Sequence, residues 1–467
     1  MTKITFYGGV KEIGGNKILV EDRDTKIFLD FGMSFGALGE YYEEFLAPRT
    51  AGGMKDFLEM GLLPDLKGVY RSDHLKHIGR KPEECEIDAC FVTHAHADHV
   101  NYVSFLHEET PIYCGETCYD ILDAITESGG RRIDFEVLDF KERPIRNYRK
   151  EAIKRDFNTF RTGDKIKVGS IEVEPIHVDH SIPGAYGYIL HTSDGTIAYT
   201  GDIRLHGAHS EMTKDFIDKC SSERPDALIT EGTRINEKRT GSEERVYKKS
   251  KKVIKDTDKL VISDFNFKDV DRARTFYKLA KENNRKFAIG YKEACLLKRY
   301  SKDKKLEMPS LDDENIVIFQ KRKRTGTYED RDYRKAERCY YEGDNVMTAE
   351  DIKKNQRDLI VFLNFWNFGH MIDIEPEPGS LFIHSLSEPF NEEMAISHAR
   401  EKNWIKHFKL EKLHAHCSGH ASGPELKEEV ERINAKKIFP IHTEHPGMFR
   451  DLSSKTKMVK YAKEYEV

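Results

Sequence analysis

The sequence has no long apolar run, and charged residues make up 34% of its 467 positions. None of its apolar stretches approaches the ~18 to 20 residues that a membrane-spanning helix needs, so no membrane attachment is predicted. Residues 1–6 begin at once as a strand and lack the pattern of a secretory signal. We therefore expect a soluble protein of the cytoplasm.

Cysteine is too sparse and too scattered for a disulfide framework. The eight cysteines stand at positions 85, 90, 114, 118, 220, 295, 339 and 417, which favours reduced thiols in a chain of this size. Cys114 and Cys118 are four residues apart, but no second pair follows at the spacing of a zinc finger. We interpret Cys417 as a small packed side chain.

The chain also lacks an excess of positive charge, because 76 Lys and Arg face 81 Asp and Glu, a formal net charge of −5. Any contact with nucleic acid must therefore come from local basic patches. Two candidates are residues 141–154 and residues 321–338. The second mixes basic side chains with tyrosines, which suits phosphates and stacked bases. Acidic residues are interspersed, so a solvated charged face is the alternative.

The most informative feature that is present is a cluster of four metal-binding side chains within residues 94–99. The preceding residues 87–93 are typical of a buried strand, so His94 and His96 should point the same way, with Asp98 and His99 following at the turn. Imidazole and carboxylate suit zinc or manganese, and two ions about 4 Å apart can hold both oxygens of a phosphoryl displacement. A polar surface loop rich in histidine is the alternative.

This cluster resembles the HxHxDH signature of the metallo-β-lactamase superfamily, and further motifs follow in the superfamily's order. Asp30 resembles the aspartate that supports the metal loop, His180 resembles the third motif, and Asp202 resembles the carboxylate that bridges two metals. The resemblance implies two divalent ions, zinc or alternatively manganese. It assigns one ion to His94, His96, His180 and Asp202, and the other to Asp98, His99, Asp202 and a distal histidine, His442.

A second set of motifs narrows the resemblance to the β-CASP nucleases. Glu231, His420 and His442 resemble their motifs A, B and C. The sequence is similar to that of the ribonuclease J family, in its compact archaeal type, at residues 7–16, 180–183 and 418–422. The resemblance implies that Asp98 orients the nucleophile, that His420 protonates the leaving oxygen, and that Glu231 fixes His420. A packed core histidine is the alternative for His420.

The resemblance also implies two groups of substrate contacts. Ser385 and Ser387 correspond to a loop near the RNA phosphates, and Ser418, Gly419, His420, Ala421 and Ser422 to a pocket for a terminal 5′ phosphate. Hydroxyl and backbone N–H groups at a helix start suit an anion, although the same residues also read as an N-cap. The sequence departs from the family motifs at Gly232, at Thr443 and at residues 388–390.

The resemblance predicts a 5′-to-3′ exoribonuclease that prefers a 5′ monophosphate on single-stranded RNA, with endonuclease activity as a further option. The alternatives are a DNA nuclease of the β-CASP family, a small-molecule metallo-hydrolase and an inactive RNA-binding subunit. Motifs A to C disfavour the small-molecule enzyme, and the full ligand set disfavours the inactive subunit. The choice between a monomer and a homodimer stays open.

The order of apolar segments predicts an α/β fold with two domains. By resemblance, residues 1–236 and 411–467 form a metallo-β-lactamase αββα sandwich, and residues 237–410 form an inserted β-CASP domain. The βαβ order of the insertion predicts a parallel sheet. Residues 412–416 are predicted as the first strand of the completing part. A long excursion at residues 33–90, with a helical piece near residues 54–60, has no assigned role.

Overall fold

The computed structural model describes residues 1–43, 45–129, 132–146, 151–238, 241–387 and 392–467. Within them, the chain forms strands and helices in alternation. The strands are β1 (Lys3–Phe6), β2 (Lys17–Asp22), β3 (Thr25–Phe31), β4 (Ala89–Val92), β5 (Ile112–Gly115), β6 (Asp139–Phe140), β7 (Ile153–Lys154), β8 (Phe157–Phe160), β9 (Ile166–Val168), β10 (Ile171–His177), β11 (Tyr186–His191), β12 (Thr196–Tyr199), β13 (Ala227–Thr230), β14 (Val261–Asp264), β15 (Lys286–Ile289), β16 (Ile316–Phe319), β17 (Val346–Met347), β18 (Leu359–Phe362), β19 (Leu381–His384), β20 (Glu411–His414), β21 (Lys437–Pro440) and β22 (Glu464–Glu466).

The helices differ widely in length. They are α1 (Phe35–Gly39), α2 (Lys55–Glu59), α3 (Ser72–His77), α4 (Ala97–Val100), α5 (Glu116–Ser128), α6 (Ser210–Glu223), α7 (Glu243–Lys255), α8 (Val270–Glu282), α9 (Tyr291–Tyr300), α10 (Lys335–Arg338), α11 (Ala349–Lys354), α12 (Met371–Ile374), α13 (Glu392–His407), α14 (Gly423–Ile433) and α15 (Phe449–Leu452). In the described part of the chain, no helix combines the length and apolar character needed to cross a membrane.

Two sheets stack face to face. The first has the strand order β22-β1-β2-β3-β4-β5-β8, and the second has the order β21-β13-β12-β11-β10-β9. Their facing side chains form one core, which includes Phe6, Leu29 and Phe91 from the first sheet and Tyr188 and Phe439 from the second. Helices α6 and α14 cover the outer face of the second sheet. The α/β class and the αββα sandwich predicted from the sequence are confirmed.

The outer face of the first sheet is covered in part by the excursion at residues 33–90. Met54, Phe57, Leu63 and Leu75 are buried there with Cys90 and Val92 of β4. The predicted helical piece near residues 54–60 is α2. This packing gives the excursion a structural role as part of the covering layer.

The third sheet lies within the chain between β13 and β21, and its strand order is β17-β16-β15-β18-β14-β19-β20. All of its neighbouring strands pair in parallel, as the βαβ order predicted. One element differs from the prediction. Residues 411–414 form β20 and pair with β19 at the edge of this sheet. The chain turns back to the sandwich only after these four residues.

Helix α14 shows how the local sequence places the loop before it. Ser422 begins the helix with a capping box, in which the Glu425 carboxylate accepts from the Ser422 backbone N–H and hydroxyl at 2.8 and 2.9 Å. Leu426, Val430 and Ile433 recur on one face and are buried against the second sheet. This packing holds residues 418–422 beside the ends of the central strands.

Candidate metal centre and active site

Side chains with metal-binding groups follow the ends of five strands. His94 comes after β4, His180 after β10, Asp202 after β12, Glu231 after β13 and His442 after β21. Within the second sheet, β12, β13 and β21 are parallel, so their carboxyl ends meet at one edge. The two stacked sheets therefore deliver these groups to one place.

The first group of ligand atoms contains His94, His96, His180 and Asp202. The His96 Nδ1 atom lies 3.1 Å from the Nε2 atoms of both His94 and His180. The Oδ2 atom of Asp202 lies 3.7 Å from the same two Nε2 atoms. Four nitrogen and oxygen atoms at this separation match the donor set of a divalent ion.

The second group contains Asp98, His99 and His442, and it shares Asp202 with the first. The Nε2 atom of His99 lies 3.3 Å from Asp202 Oδ2. The Nε2 atom of His442 lies 3.1 Å from Asp98 Oδ2 and 3.7 Å from Asp202 Oδ2. The structure thus brings together every side chain that the resemblance assigned to the two ions, with Asp202 between the groups.

Two buried atoms test whether these residues fit a metal ion. His99 Nε2, which lies 3.3 Å from Asp202 Oδ2, and Asp202 Oδ1 make no hydrogen bond of good geometry among the described residues, and both side chains are almost completely buried. An unpartnered buried polar atom is costly unless another group compensates it. A divalent cation supplies that compensation, so the donor set fits a metal centre.

The opposite ring nitrogens of the histidines are held by fixed partners. His99 Nδ1 lies 2.8 Å from the Asp30 carboxylate, which also accepts from the Thr93 N–H at 2.7 Å and from the Tyr199 hydroxyl at 2.7 Å. His442 Nδ1 lies 2.9 Å from the Thr233 hydroxyl. Such outer contacts fix the tautomer and aim the free nitrogen at an ion. Sequence reasoning assigned Asp30 but missed Thr233, whose only signal is its position two residues after Glu231.

Burial and mutual charge set the protonation of the ligands. Burial lowers the pKa of His96 to about 3, and Lys268 acts in the same direction. Burial would raise the pKa of Asp202, but His442 and His99 hold it well below its usual range. Ligation requires neutral imidazoles and ionised carboxylates, so the shifts at His96 and Asp202 agree with it. Against the effect of burial, the neighbouring carboxylates raise the pKa of His99 and of His442, so a bound cation would displace a proton from each of these two rings.

Glu231, which is buried, and His420, which is partly exposed, form a pair next to the shared carboxylate. His420 Nδ1 lies 3.1 Å from Glu231 Oε2 and 3.8 Å from Asp202 Oδ2. The Glu231 carboxylate also accepts from the backbone N–H groups of Ile203 and Thr233, at 3.0 and 3.2 Å. Burial opposes protonation of His420, but Glu231 and Asp202 outweigh it and raise its pKa to about 9. An imidazolium held in this way can donate a proton.

The metal loop is packed against glycines so closely that a side chain would not fit. A Cβ atom on Gly32 would lie 1.7 Å from the backbone oxygen of Asp98. We expect Gly32→Ala to lower the free energy of unfolding by about 2 kcal/mol or more, because the backbone of residues 98 and 99 must move. Urea denaturation followed by circular dichroism measures this change.

Gly39→Ala is the matched control, because a Cβ atom there meets nothing within 4 Å. Alanine favours a helix over glycine by up to about 1 kcal/mol, so this variant should be as stable as the unmodified chain or slightly more stable. Equal unfolding curves for the two variants would contradict the close approach at Gly32.

The predicted substrate serines of the third sheet lie in different surroundings. The Ser385 side chain is buried, and its hydroxyl contacts Arg272 and the Ala415 carbonyl oxygen. Ser387 is exposed. Ser385 therefore fixes the loop from inside, whereas the Ser387 hydroxyl faces solvent. The family departure at residues 388–390 lies outside the described residues.

Much of the predicted pocket at residues 418–422 is used for internal contacts. The backbone N–H groups of Ala421 and Ser422 donate to Ile203 O and Glu425 Oε2. His206 Nε2 contacts the Ser418 carbonyl oxygen at 2.9 Å. Ser422 is the N-cap, the alternative that the sequence left open. Of the predicted members, Ser418, Gly419 and His420 are partly exposed.

A buried ion network connects this site to the third sheet, and sequence reasoning missed it. Arg204 donates to Asp179 at 3.0 Å and to Asp271 at 2.6 Å. Arg272 donates to Glu243 at 3.2 Å and to the Ser385 carbonyl oxygen at 2.8 Å. Asp179 precedes the ligand His180, so the network joins the metal loops to helices α7 and α8.

Two family profiles match this chain in the regions that carry the site. Residues 64–245 match the family described as beta-lactamase superfamily domain, and residues 402–459 match the Zn-dependent metallo-hydrolase RNA specificity domain. Ribonuclease J of Mycoplasma genitalium is 23% identical over 458 residues, which cover 96% of this chain and 68% of that protein. Residues 64–245 thus carry a beta-lactamase superfamily domain, and the matches together support the ribonuclease J-like β-CASP family.

Other members of this family match shorter parts of the chain. Ribonuclease J of Pyrococcus abyssi is 25% identical over 257 residues, covering 53% of this chain and 49% of that protein. Ribonuclease J of Helicobacter pylori is 27% identical over 205 residues, and the match covers 44% of this chain and 23% of that protein. The chain therefore spans about two thirds of the Mycoplasma relative's length and matches smaller fractions of the other two.

A solved structure shares the fold over its whole length. The crystal structure of a protein of unknown function from Enterococcus faecalis V583 matches with a TM-score of 0.75 and 21% identity, and the match covers 99% of each chain. The arrangement of the sandwich and the third sheet is thus found in a protein of similar extent.

Proposed function

We propose that this chain is a metal-dependent ribonuclease, and that it degrades single-stranded RNA from the 5′ end with a preference for a 5′ monophosphate. The observation that carries the proposal is the position of the His420 and Glu231 pair, 3.8 Å from the carboxylate shared by the two ligand groups. Two ligand groups and an adjacent proton donor are the parts that phosphodiester hydrolysis needs. Endonuclease cleavage by the same site is the second activity to be tested.

The donor set supports two divalent ions, and the mixture of imidazole and carboxylate favours zinc over magnesium or calcium. His94, His96, His180 and Asp202 would hold one ion, and Asp98, His99, Asp202 and His442 would hold the other. When bound, such ions lower the pKa of water and neutralise charge on a phosphate. Manganese is the alternative occupant.

The protein residues have separate tasks in this proposal. Asp98 accepts a hydrogen bond from the attacking water and so aims it at the phosphorus. His420 carries the proton that the leaving 3′ oxygen needs. Glu231 keeps the His420 ring in place through Nδ1, which leaves Nε2 for the substrate. Asp30 and Thr233 hold His99 and His442 in the tautomers that ligation needs.

The assignment of RNA as the substrate is supported by the match of residues 402–459 to an RNA specificity domain and by the ribonuclease J relatives. Ser418 and Gly419 are the candidates for a contact with the terminal phosphate. The basic run at residues 321–338 is a weaker candidate, because Arg322 pairs with Asp373 at 3.0 Å and Arg324 donates to the Arg331 carbonyl oxygen. The other basic stretch, residues 141–154, is described only in part.

Digestion of end-labelled nucleic acid tests the proposal. The substrates are RNA labelled at the 5′ or the 3′ end, with a 5′ monophosphate, triphosphate or hydroxyl, and DNA of the same sequence. We expect immediate release of labelled mononucleotide from 5′-labelled monophosphorylated RNA, while the 3′ label stays in long fragments at early times. Denaturing gels and thin-layer chromatography measure these products.

The same experiment separates the alternatives. Fragments of intermediate length from both the 5′-labelled and the 3′-labelled RNA would indicate an endonuclease. Early release of mononucleotides from the 3′-labelled RNA would indicate degradation from the 3′ end instead. Equal degradation of DNA would favour the DNA nuclease. Preincubation with a chelator is the control for contamination by a metal-independent ribonuclease.

A further inference from the structure

A second cluster of metal-binding side chains lies in the third sheet, away from the centre already described. It consists of Asp264 at the end of β14, His384 at the end of β19, and His398 and Glu401 one turn apart on α13. Asp264 and His384 are register partners across the β14–β19 pair. The sheet edge and the helix thus bring two imidazoles and two carboxylates together.

The ligand atoms of His384, His398 and Glu401 lie within 4.8 Å of one another, and Asp264 adjoins this group through His384. Glu401 Oε2 lies 3.3 Å from His384 Nδ1 and 3.6 Å from His398 Nδ1, and Asp264 Oδ2 lies 3.9 Å from His384 Nδ1. Tetrahedral zinc with bonds of about 2.0 to 2.1 Å places its ligand atoms about 3.3 to 3.4 Å apart. The first ligand group of the active site has separations of 3.1 to 3.7 Å.

The burial of the cluster gives a second, independent indication. Asp264 is fully buried, and neither of its carboxylate oxygens has a hydrogen-bond partner among the described residues. The ring nitrogens of His384, which is 4% exposed, also lack a hydrogen bond of good geometry there. Burying such groups without compensation is costly. A cation between them removes the cost for all four side chains.

Lys412 supplies the outer contact that such a site requires. Its ammonium group lies 2.7 Å from Glu401 Oε1, so it fixes the carboxylate and leaves Oε2 directed at the two imidazoles. Carboxylate ligands are commonly held by outer partners of this kind. The Lys412 charge offsets one of the two carboxylate charges.

We propose that Asp264, His384, His398 and Glu401 bind a divalent transition-metal ion of the zinc type, separate from the ions of the active site. Its task is structural. The ion would hold α13 against the carboxyl edge of the third sheet. It would also fix the start of residues 385–387, because His384 directly precedes Ser385. The Ser385 carbonyl oxygen in turn accepts a hydrogen bond from Arg272. A ligand set of two imidazoles and two carboxylates suits zinc better than calcium or magnesium, because those two ions prefer sites made of oxygen ligands only.

The test uses the full chain with zinc as the probe. Zinc content is measured by mass spectrometry after dialysis, for the unmodified chain and for His398→Ala and Glu401→Gln. Each variant should hold one equivalent of zinc per chain less than the unmodified protein, with an unchanged circular dichroism spectrum. Lys412→Met should weaken zinc binding at this site by about 10- to 100-fold. His407→Ala, which removes an exposed histidine from the same helix, should keep the full content.

Stability gives a second readout that does not depend on activity. Adding zinc to the chelated protein should raise the Tm of the unmodified chain more than that of Glu401→Gln. Glu401→Gln keeps the shape of the side chain, so it decides the question if His398→Ala fails to fold. If Glu401→Gln has the same zinc content and the same zinc-dependent rise in Tm as the unmodified chain, the proposal is wrong. The four residues would then form a hydrogen-bonded cluster without metal.

Discussion

His420→Ala should slow RNA hydrolysis by about 10²- to 10⁴-fold while the metal content of the protein stays unchanged. The range is the usual contribution of a general acid. The His420 ring contacts Glu231 at 3.1 Å, and although it also lies near Asp202 and His442, it is not among the residues assigned to the two ions. Its removal therefore takes away the proton donor and leaves the ligands in place. Single-turnover rates on 5′-monophosphorylated RNA, together with metal analysis, measure the two effects.

The pH profile separates a proton donor from a merely structural residue. The protonated form of His420 predominates below a raised pKa, so activity that depends on it should fall as the pH rises through that pKa. This alkaline decline should be absent from the residual activity of His420→Ala. His445→Ala removes an exposed histidine from the loop after β21 and serves as the control. Unchanged turnover in His420→Ala would exclude the acid role.

His96→Ala and Asp98→Ala should each lose both metal and activity. The two residues belong to different ligand groups, so loss of either removes a direct donor. The loss of activity should exceed the decrease of roughly 10- to 100-fold that is typical when a residue that hydrogen-bonds to a metal ligand is removed. Inductively coupled plasma mass spectrometry and the labelled-RNA assay on the same samples measure both quantities.

The metal lost from these variants must be distinguished from the ion proposed in the third sheet. Combining His96→Ala with Glu401→Gln should lower the zinc content further than His96→Ala alone, whereas activity should not change further from the residual level of His96→Ala. His407→Ala is again the control. Normal metal occupancy in His96→Ala or Asp98→Ala would contradict the assignment of that residue as a ligand.

The sequence was most informative where short motifs follow apolar strands. Residues 94–99 follow β4, and their spacing alone predicted that His94 and His96 point the same way, which agrees with their ring nitrogens lying 3.1 Å apart. The parallel third sheet could be predicted because each apolar run is short and is followed by a helical pattern. Strand ends were placed within a few residues, as for β10 at Ile171–His177.

Contacts between residues far apart in the chain could not be read from local patterns. Nothing near Ser385 indicates that Arg272 covers its hydroxyl, and nothing near residue 411 shows that β20 joins the third sheet. Asp264, His398 and Glu401 are unremarkable singly and become a cluster only when β14, β19 and α13 pack. We retain the two-domain division as a proposal and place the end of the insertion after His414.

The sequence separation within the active site has a consequence for when the protein acquires activity. His442 and Asp98 meet across 344 positions, and β21, which carries His442 to the site, pairs with β13. Long-range contacts form late, because the intervening chain must first be ordered. A growing polypeptide that has not yet emerged past β21 lacks His442, so it cannot assemble the full set of ligands until its last strands are made.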